Sequence, residues 1–338
     1  MEGANPPHFD LTIDPDKIEV DFYQILETVR PLWTKSDYVF ERSSLSLSRG
    51  LLNTMVKCYS KTDDRDAIMI RIHNVNMTQW LDRSVEVKCL KILAPLDCAP
   101  RIIATFVNGF CYQFFHGEIL THTRLGEDPI WRLIASDFAK FHSTELDSDL
   151  KESAIRDKEE KLEKIWDAYP DELKDPKKNE IFKREIPPKE ELKAEISSLH
   201  KVCENLACPI VLCHNDTRGE NIIWNEEERR IHFVDFEAMT YNYQAQEIAA
   251  HFQRFCEKYY EFTGKNPSNV TEKDVRRLYV EVNKWHLALL LMVCAFAPVF
   301  EVMNIIPEGH LDMFEFGMLS HKEYLKEKDM ILAMKMPE

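Results

Sequence analysis

The residues whose types and spacing could do chemistry lie in the segment CHNDTRGEN, residues 213–221, and in an Asp-Phe-Glu that begins at residue 235. Phosphoryl transfer needs a carboxylate that orients the attacking hydroxyl group and accepts its proton, and oxygen ligands that hold Mg²⁺ against the phosphates. Asp216, two residues after a histidine, supplies that carboxylate. Asn221 and Asp235 supply two oxygen ligands of the kind that Mg²⁺ prefers. The pattern therefore predicts a phosphotransferase that uses ATP and Mg²⁺.

Short strands are predicted to position these side chains. Residues 209–214 form an apolar run before the loop, and residues 221–224 and 231–236 flank a polar turn, so the second strand carries Asp235 back towards the loop. A single His-x-Asp is usually a turn cap, and Asp235 alone could cap a helix. The joint pattern of strand, loop and hairpin favours the catalytic interpretation.

Residues 36–116 are predicted to form an N-terminal nucleotide-binding lobe, after a tail and helix at residues 1–35. Apolar alternation predicts strands, an amphipathic helix with Glu86 at its centre, and a hairpin around Asn108-Gly109. The predicted elements are strands at 38–40, 55–59 and 66–73, a helix at 78–93, and hairpin strands at 102–106 and 110–115.

Arg71 is a lone basic residue in the apolar stretch IMIRIH. A buried cation needs a partner, and Glu86 on the following helix can supply one while Arg71 also faces phosphate. The alternative is an edge-strand arginine that points to water.

Two backbone segments of the same lobe could contact the nucleotide. The turn that contains Gly50, Leu51 and Asn53 could bend over phosphates, although a single glycine fits an ordinary hairpin turn equally well. Gln113 and Phe115 end the last predicted strand, where a hinge backbone could hydrogen-bond adenine.

Residues 117–338 are predicted to form a mostly helical C-terminal lobe that carries catalysis and acceptor binding. Helical spacing appears at residues 131–142, 247–259 and 275–300, whereas the Lys- and Glu-rich stretch at 151–195 predicts solvated helices and loops. His251, inside one of these helices, is predicted to be a packed or capping residue.

Composition excludes several classes of protein. The 338 residues carry 43 basic and 58 acidic side chains, a net charge of −15, which disfavours nonspecific binding of nucleic acid. The nine cysteines lack CxxC spacing and follow no apolar leader, so free thiols in the cytoplasm are expected. The apolar run at residues 287–300 contains Pro298 and is shorter than the roughly 18 residues of a membrane span, so it predicts a buried helix and no stable membrane insertion.

On these residues the chain resembles the choline/ethanolamine kinase family, from about Leu45 to the C-terminus. VLCHNDTRGENIIWN resembles the family's catalytic loop, and VDFEAMTYNYQAQEIAAHF resembles its signature. EVKCLKILAPLDCAPRIIATFVNGFCYQF and LAMKMPE are closer to the ethanolamine kinase branch. The resemblance implies an α/β (α+β) class, with a two-lobe protein-kinase-like fold whose N-terminal lobe is an antiparallel sheet.

The resemblance also implies roles for individual residues. Asp216 would be the base, and Asn221 and Asp235 would hold Mg²⁺. The residues implied to contact ATP are Gly50, Leu51, Asn53, Arg71, Glu86, Gln113, Phe115, Arg218 and Asp235. Those implied to contact the acceptor are Asp216, Glu237, Tyr259 and Phe296.

The sequence departs from the family pattern on the acceptor side. The family's tyrosine after Asp-Phe-Glu is Ala238, a carboxylate of its signature is Arg254, and two tryptophans of its long helix align with Val293 and Phe296. Aromatic faces bind quaternary ammonium groups, whereas a primary ammonium needs hydrogen-bond acceptors. Arg254 would repel a cationic acceptor unless Glu247 or Glu257 neutralises it or it turns to solvent.

The segments closer to the ethanolamine kinase branch, and the smaller need of a primary ammonium for aromatic faces, favour ethanolamine over choline as the small-molecule partner. Two alternatives stay open: another small hydroxyl substrate, as in aminoglycoside-type phosphotransferases, and a nucleotide-binding relative whose acceptor site has decayed. The sequence also leaves a homodimer open.

Overall fold

The computed structural model of the chain describes residues 5–34, 37–42, 53–73, 83–121, 123–146, 148–252, 272–303 and 312–337. The chain divides into two compact units. Unit 1 consists of Met1–Lys140 and Arg218–Met239, and unit 2 consists of Phe141–Thr217 and Thr240–Glu338. The functional lobes expected at residues 36–116 and 117–338 stay a prediction.

Strands and helices come mostly in separate runs along the described residues. The strands are β1 (His8–Phe9), β2 (Tyr38–Arg42), β3 (Asn53–Ser60), β4 (Ile68–His73), β5 (Ile102–Phe106), β6 (Gly109–Gln113), β7 (Glu118–Ile119), β8 (Ile210–Cys213), β9 (Ile222–Asn225), β10 (Arg230–Phe233) and β11 (Thr240–Tyr243). The α-helices are α1 (Ile18–Asp21), α2 (Tyr23–Val29), α3 (Arg83–Leu93), α4 (Ile130–Ser143), α5 (Ser148–Asp167), α6 (Pro176–Glu185), α7 (Lys189–Glu204), α8 (Gln244–Phe252), α9 (Glu272–Met303) and α10 (Met313–Leu332).

Unit 1 contains a six-stranded sheet in the order β1-β5-β6-β4-β3-β2. The β1 strand runs parallel to β5, and the other neighbours are antiparallel. The β5–β6 hairpin turns at Val107-Asn108, as the Asn-Gly signal predicts. Gly109 is required there, because a Cβ atom would lie 2.1 Å from the Arg71 carbonyl oxygen. The hairpin thus packs directly against the strand that carries Arg71.

The N-terminal residues form part of the core of unit 1. Phe22, Ile25 and Leu26 are buried and pack in one cluster with Val56 and Ile70 of the sheet. Burying side chains of this size contributes roughly 1.5–3 kcal/mol each. The segment expected as a tail and helix therefore supplies a sheet strand and one side of the core.

A smaller antiparallel sheet of unit 1, in the order β10-β9-β7, precedes Asp235. The strand predicted at residues 231–236 ends earlier than expected, at Phe233. Asp235 has a φ of +67°, a left-handed conformation that ends the extended chain, and residues 236–238 form a short 3₁₀ turn. Phe236 is buried in this turn instead of in a strand.

Unit 2 is mostly helical around the two-stranded β11-β8 sheet. Its core includes Trp166, Phe182 and Leu192, which come from the Lys- and Glu-rich stretch. That stretch is therefore amphipathic, because α5, α6 and α7 each bury an apolar side against the core.

Helix α9 is long and apolar enough to cross a membrane by length and composition alone. Half of its most apolar 18 residues are buried inside the protein. Trp285, Leu287 and Leu291 belong to the core of unit 2. The long helix predicted at about residues 275–300 is thus confirmed, and its segment 287–300, predicted to be buried, contributes Leu287 and Leu291 to the core.

The cysteines of the described residues are free and buried. They are Cys58, Cys89, Cys98, Cys111, Cys203, Cys208, Cys213 and Cys294. Burial raises the pKa of the Cys111 thiol to about 12. At neutral pH this side chain is therefore a protonated apolar group in the core.

Candidate active site

The predicted chemical residues fall in both units. In unit 1, the guanidinium of Arg71 is 3% exposed and lies among three carboxylates. Its Nη1 atom is 2.8 Å from Glu86 Oε1, and its Nη2 atom donates to Asp235 Oδ1 at 2.7 Å and to Glu237 Oε2. The predicted Arg71–Glu86 ion pair is confirmed, and the alternative of an edge-strand arginine is wrong.

The sequence of β4 explains this placement of Arg71. The strand lies between β3 and β6, so it has a neighbour on each side. Side chains alternate across a sheet, and Ile68, Ile70 and Ile72 all enter the apolar core of unit 1. Arg71 therefore points to the opposite face, where a polar partner can reach it.

Glu237 joins further residues to this ion cluster. Its Oε2 atom accepts hydrogen bonds from Asn53 Nδ2 at 2.7 Å and from Arg83 Nη1 at 2.8 Å, in addition to Arg71. Arg83 was missed in the sequence. The available signal was its spacing, since Arg83 precedes Glu86 by three residues, and residues three apart lie on one face of a helix.

The charges of the cluster do not balance, because three carboxylates face two guanidinium groups. Burial, the largest effect, raises the pKa of Glu86 to about 7 even though the neighbouring Arg71 lowers it. Burial, with the positive charges of Arg83 and Arg71, lowers the pKa of His73 to about 3. One unit of negative charge is thus left for a proton or a cation to neutralise.

Replacing Glu86 with glutamine should flatten the pH dependence of stability between about pH 4.5 and 7. In the folded wild type the pKa of Glu86 lies above the ordinary value of 4.5, so the folded state holds this proton more tightly. Protonation of Glu86 therefore contributes about 3 kcal/mol to the free energy of unfolding below pH 4.5, and this contribution is lost as the pH rises to 7. Urea unfolding of both proteins from pH 4.5 to 8 measures the slope, and identical slopes would contradict the assignment.

The predicted metal ligands of unit 1 are Asn221 and Asp235. Asn221 ends the 3₁₀ turn at Gly219–Asn221, is buried, and accepts the Val234 N–H at its carbonyl oxygen at 2.9 Å. This bond ties it to the residue before Asp235. Gly219 lets the 3₁₀ turn pack closely against the backbone of Leu120. A Cβ atom at residue 219 would lie 2.5 Å from the Leu120 carbonyl oxygen.

These donors fit MgATP chemically. Amide and carboxylate oxygens are hard ligands, and a dication would offset the excess negative charge of the cluster. Asn53 Oδ1 and Arg71 Nε are buried and have no hydrogen-bond partner among the described residues. A buried donor and acceptor without partners are unfavourable and fit groups that bind a ligand.

The remaining described nucleotide candidates of unit 1 lie at the end of β6 and before β9. The Gln113 N–H bonds the Arg101 carbonyl oxygen at 3.0 Å. Phe115 stacks on His232 with ring centroids 3.9 Å apart and planes at 12°. Arg218 is half-buried and precedes the turn of Asn221. His232 was missed, since no spacing links it to Phe115.

In unit 2, Asp216 lies on the loop that follows β8. The β8 strand pairs with β11, and Asn215 after it has a φ of +64°. The Asn215 side chain fixes this turn: Nδ2 donates to the carbonyl oxygens of Cys213 at 3.1 Å and Thr240 at 3.3 Å. The Asp216 N–H contacts His214 Nδ1 at 3.4 Å. The backbone around Asp216 is therefore strongly held.

The acceptor candidates are less completely described. In unit 2, Phe296 and Val293 lie on α9 and are partly buried, and Phe296 meets Phe300 edge-on at 6.4 Å. In unit 1, Ala238 ends the 3₁₀ turn after Asp235. Gly50, Leu51, Arg254 and Tyr259 lie outside the described residues.

Known proteins similar to this chain are phosphotransferases. Mouse ethanolamine kinase 1 is 29% identical over 98% of this chain and 96% of its own length. Human ethanolamine kinase 2 is 27% identical over 100% of this chain and 90% of its own. The Plasmodium vivax ethanolamine kinase structure covers 89% of this chain and 86% of its own, with a TM-score of 0.68 at 19% identity.

This structural likeness shows the kinase-like fold, so the predicted fold class is confirmed. The sequence profile described as choline/ethanolamine kinase matches residues 45–274, which include all three residues predicted for the base and the metal ligands. The chain therefore belongs to the choline/ethanolamine kinase family.

Proposed function

We propose that this chain transfers the γ-phosphoryl group of MgATP to the hydroxyl oxygen of ethanolamine or choline, with ethanolamine favoured. The product would enter phosphatidylethanolamine or phosphatidylcholine synthesis at its first step. The observation that carries the proposal is the position of Arg71, which joins Glu86 to Asp235 in unit 1. Protein kinases use a strand lysine paired with a helix glutamate, together with a metal-binding aspartate, for the same purpose.

The residues of unit 1 are proposed to bind the nucleotide. Arg71 would face the phosphates, with Glu86 holding its guanidinium, and Asn221 and Asp235 would hold Mg²⁺. Bound MgATP supplies the phosphoryl group, and the metal neutralises charge on the phosphate oxygens. The other proposed ATP contacts are Gly50, Leu51, Asn53, Gln113, Phe115 and Arg218.

Asp216 is proposed to act on the acceptor. Its carboxylate would orient the acceptor hydroxyl group and take its proton while the hydroxyl oxygen bonds to the γ-phosphorus and the bond to ADP breaks. Tyr259 and Phe296 are proposed acceptor contacts. Glu237 stays a proposed acceptor contact. Its hydrogen bonds with Asn53, Arg71 and Arg83 favour instead a role in positioning the residues that bind the nucleotide.

The preference for ethanolamine follows from the pocket side chains and the relatives. Val293 and Phe296 replace the two tryptophans that suit a quaternary ammonium group. A primary ammonium carries three N–H donors and is bound by oxygen acceptors, so it depends less on aromatic faces. The relatives aligned with this chain at 27–29% identity are named ethanolamine kinases.

An ATP-consumption screen tests the proposal. Ethanolamine, its mono- and dimethyl derivatives, choline and several amino sugars are compared at equal concentration, and kcat/KM should decrease as methyl groups are added. The hydrolysis of ATP without acceptor is the background. If only an amino sugar were turned over, the acceptor would be an amino sugar instead of ethanolamine or choline. If no hydroxyl compound were turned over, the proposal that the chain is a phosphotransferase would be contradicted.

The remaining expectations follow from this chemistry. Both substrates are small and soluble in water, so we expect the protein in the cytoplasm, with no nucleic-acid partner and no membrane insertion. A homodimer stays a prediction that sedimentation can test.

A further inference from the structure

Among the buried polar side chains of helix α8 in unit 2 are Glu247 and His251, which lie one turn apart. Side chains four residues apart lie on the same face of a helix. Both bond to the loop that contains Asp216, and the function proposed above does not use either of them.

Glu247 holds the loop on the N-terminal side of Asp216. Its Oε1 atom accepts the Asn215 N–H at 2.9 Å, and its Oε2 atom lies 2.6 Å from His142 Nε2. The other ring nitrogen of His142 is 3.5 Å from Gln244 Nε2, an amide nitrogen that donates, so Nδ1 accepts and Nε2–H donates to Glu247. Both carboxylate oxygens of Glu247 are therefore fixed.

His251 holds the loop on the C-terminal side of Asp216. Its Nδ1 atom lies 2.6 Å from the Thr217 carbonyl oxygen, which only accepts, so the ring donates. Burial, the largest effect, lowers the pKa of His251, which favours the neutral ring. The two bonds thus reach the residues directly before and after Asp216.

The loop needs this support because its backbone turns sharply. Asn215 has a φ of +64°, which is uncommon for a residue other than glycine. Its side-chain oxygen accepts from Asn242 Nδ2 at 2.7 Å, which adds a third contact from the segment that leads into α8. Held on both sides, the backbone of Asp216 has little freedom to move.

We propose that α8 clamps the catalytic loop, with Glu247 and His251 as positioning residues that fix Asp216 through the backbone of Asn215 and Thr217. This inference rests on the proposed role of Asp216. His142, Cys213 and Glu247 also place ligand atoms within 4.8 Å of one another, as a metal site would. The hydrogen bonds described above already use both oxygens of Glu247, so the clamp accounts for the cluster without a metal.

Two substitutions each remove one of the two contacts with the loop, and two more conservative substitutions at the same positions keep it. Glu247→Leu removes the acceptor of the Asn215 N–H, and His251→Phe removes the donor to Thr217. A displacement of about 1 Å at a reacting group can lower the rate by about 100-fold, so each should lower kcat per folded enzyme by about that factor and leave the KM for MgATP within about twofold. Glu247→Gln and His251→Asn keep one bond each and should recover at least about tenfold of the loss.

Glu281→Leu is the matched control. Glu281 is also a buried glutamate of unit 2, and it pairs with Arg277 at 2.8 Å. Its loss should lower the melting temperature without lowering kcat per folded enzyme. If Glu281→Leu and Glu247→Leu lowered kcat equally, the clamp would be overturned. It would also be overturned if Glu247→Gln and His251→Asn were no more active than Glu247→Leu and His251→Phe.

Native-state hydrogen exchange gives a readout that does not depend on the reaction. The amides of residues 214–217 should exchange at least about tenfold faster in Glu247→Leu than in Glu281→Leu, because only the former frees the Asn215 N–H. Equal exchange would overturn the clamp even if Asp216 is the base. Faster exchange, with an Asp216→Ala enzyme that keeps full turnover, would support the clamp and refute the proposed role of Asp216.

Discussion

Asp216→Ala is expected to lower the turnover of ethanolamine by about 10²–10⁴-fold, the range for loss of a positioned general base. Without the carboxylate, the hydroxyl group loses both its orientation and the acceptor of its proton. The affinity for MgATP should persist, because the side chains proposed to bind the nucleotide, Arg71 and Asp235 among them, belong to unit 1. Steady-state kinetics and calorimetric titration of MgATP measure the two quantities.

Two further variants separate chemistry from folding. Asp216→Asn keeps the size of the side chain but removes the charge and the proton acceptor, so its turnover should fall nearly as far. Glu220→Ala removes an exposed carboxylate four residues along the same loop and should leave turnover unchanged. Near wild-type turnover in Asp216→Ala would exclude this residue as the base.

Local patterns predicted most of the sheet of unit 1. The alternation in β3 and β4 and the Asn-Gly hairpin are signals within a few residues, and the structure has these elements within a few residues of the expected bounds. The Arg71–Glu86 pair was also predictable, since a buried arginine in an apolar strand needs a carboxylate and the next helix offers one.

Contacts between distant segments were not predictable in the same way. The β1 strand is two residues long, and its pairing with β5 joins His8 to Thr105, so no periodicity announces it. Glu237 meets Asn53 and Arg83 across more than 150 residues of chain. Such contacts are set by how elements pack, which a pattern along one segment does not encode.

The two carboxylate residues of the Asp-Phe-Glu illustrate the same limit. Their chemistry was evident from the sequence, but the strand predicted through Phe236 hid the turn at Asp235. Asp235 has a left-handed φ and its side chain reaches Arg71, and the Val234 N–H just before it is tied to the carbonyl oxygen of Asn221, which lies in a 3₁₀ turn. Residue types predicted the role, and tertiary contacts determined the orientation.

Asp235→Asn is expected to abolish the metal-dependent part of nucleotide affinity. Asparagine tolerates the left-handed φ of +67° and keeps the shape of the side chain, so the turn should survive. A neutral amide oxygen is a weaker ligand for Mg²⁺ than a carboxylate, and it also weakens the bond to Arg71, now 2.7 Å long. Titrating ATP with and without Mg²⁺ should show at least about a tenfold difference in Kd in the wild type, about 1.4 kcal/mol, and nearly none in the variant.

Asp97→Asn provides a closely matched control for this experiment. Asp97 belongs to the same unit, has a φ of 65°, and pairs its carboxylate with Arg230. It therefore reproduces the loss of charge, the backbone conformation and the broken ion pair without touching the proposed metal ligands. If both variants lost the Mg²⁺ dependence, the effect would be a general one of charge in unit 1. If Asp235→Asn kept the wild-type dependence, Asp235 would not be a metal ligand, and the buried cluster around Arg71 would bind the nucleotide through its guanidinium groups alone.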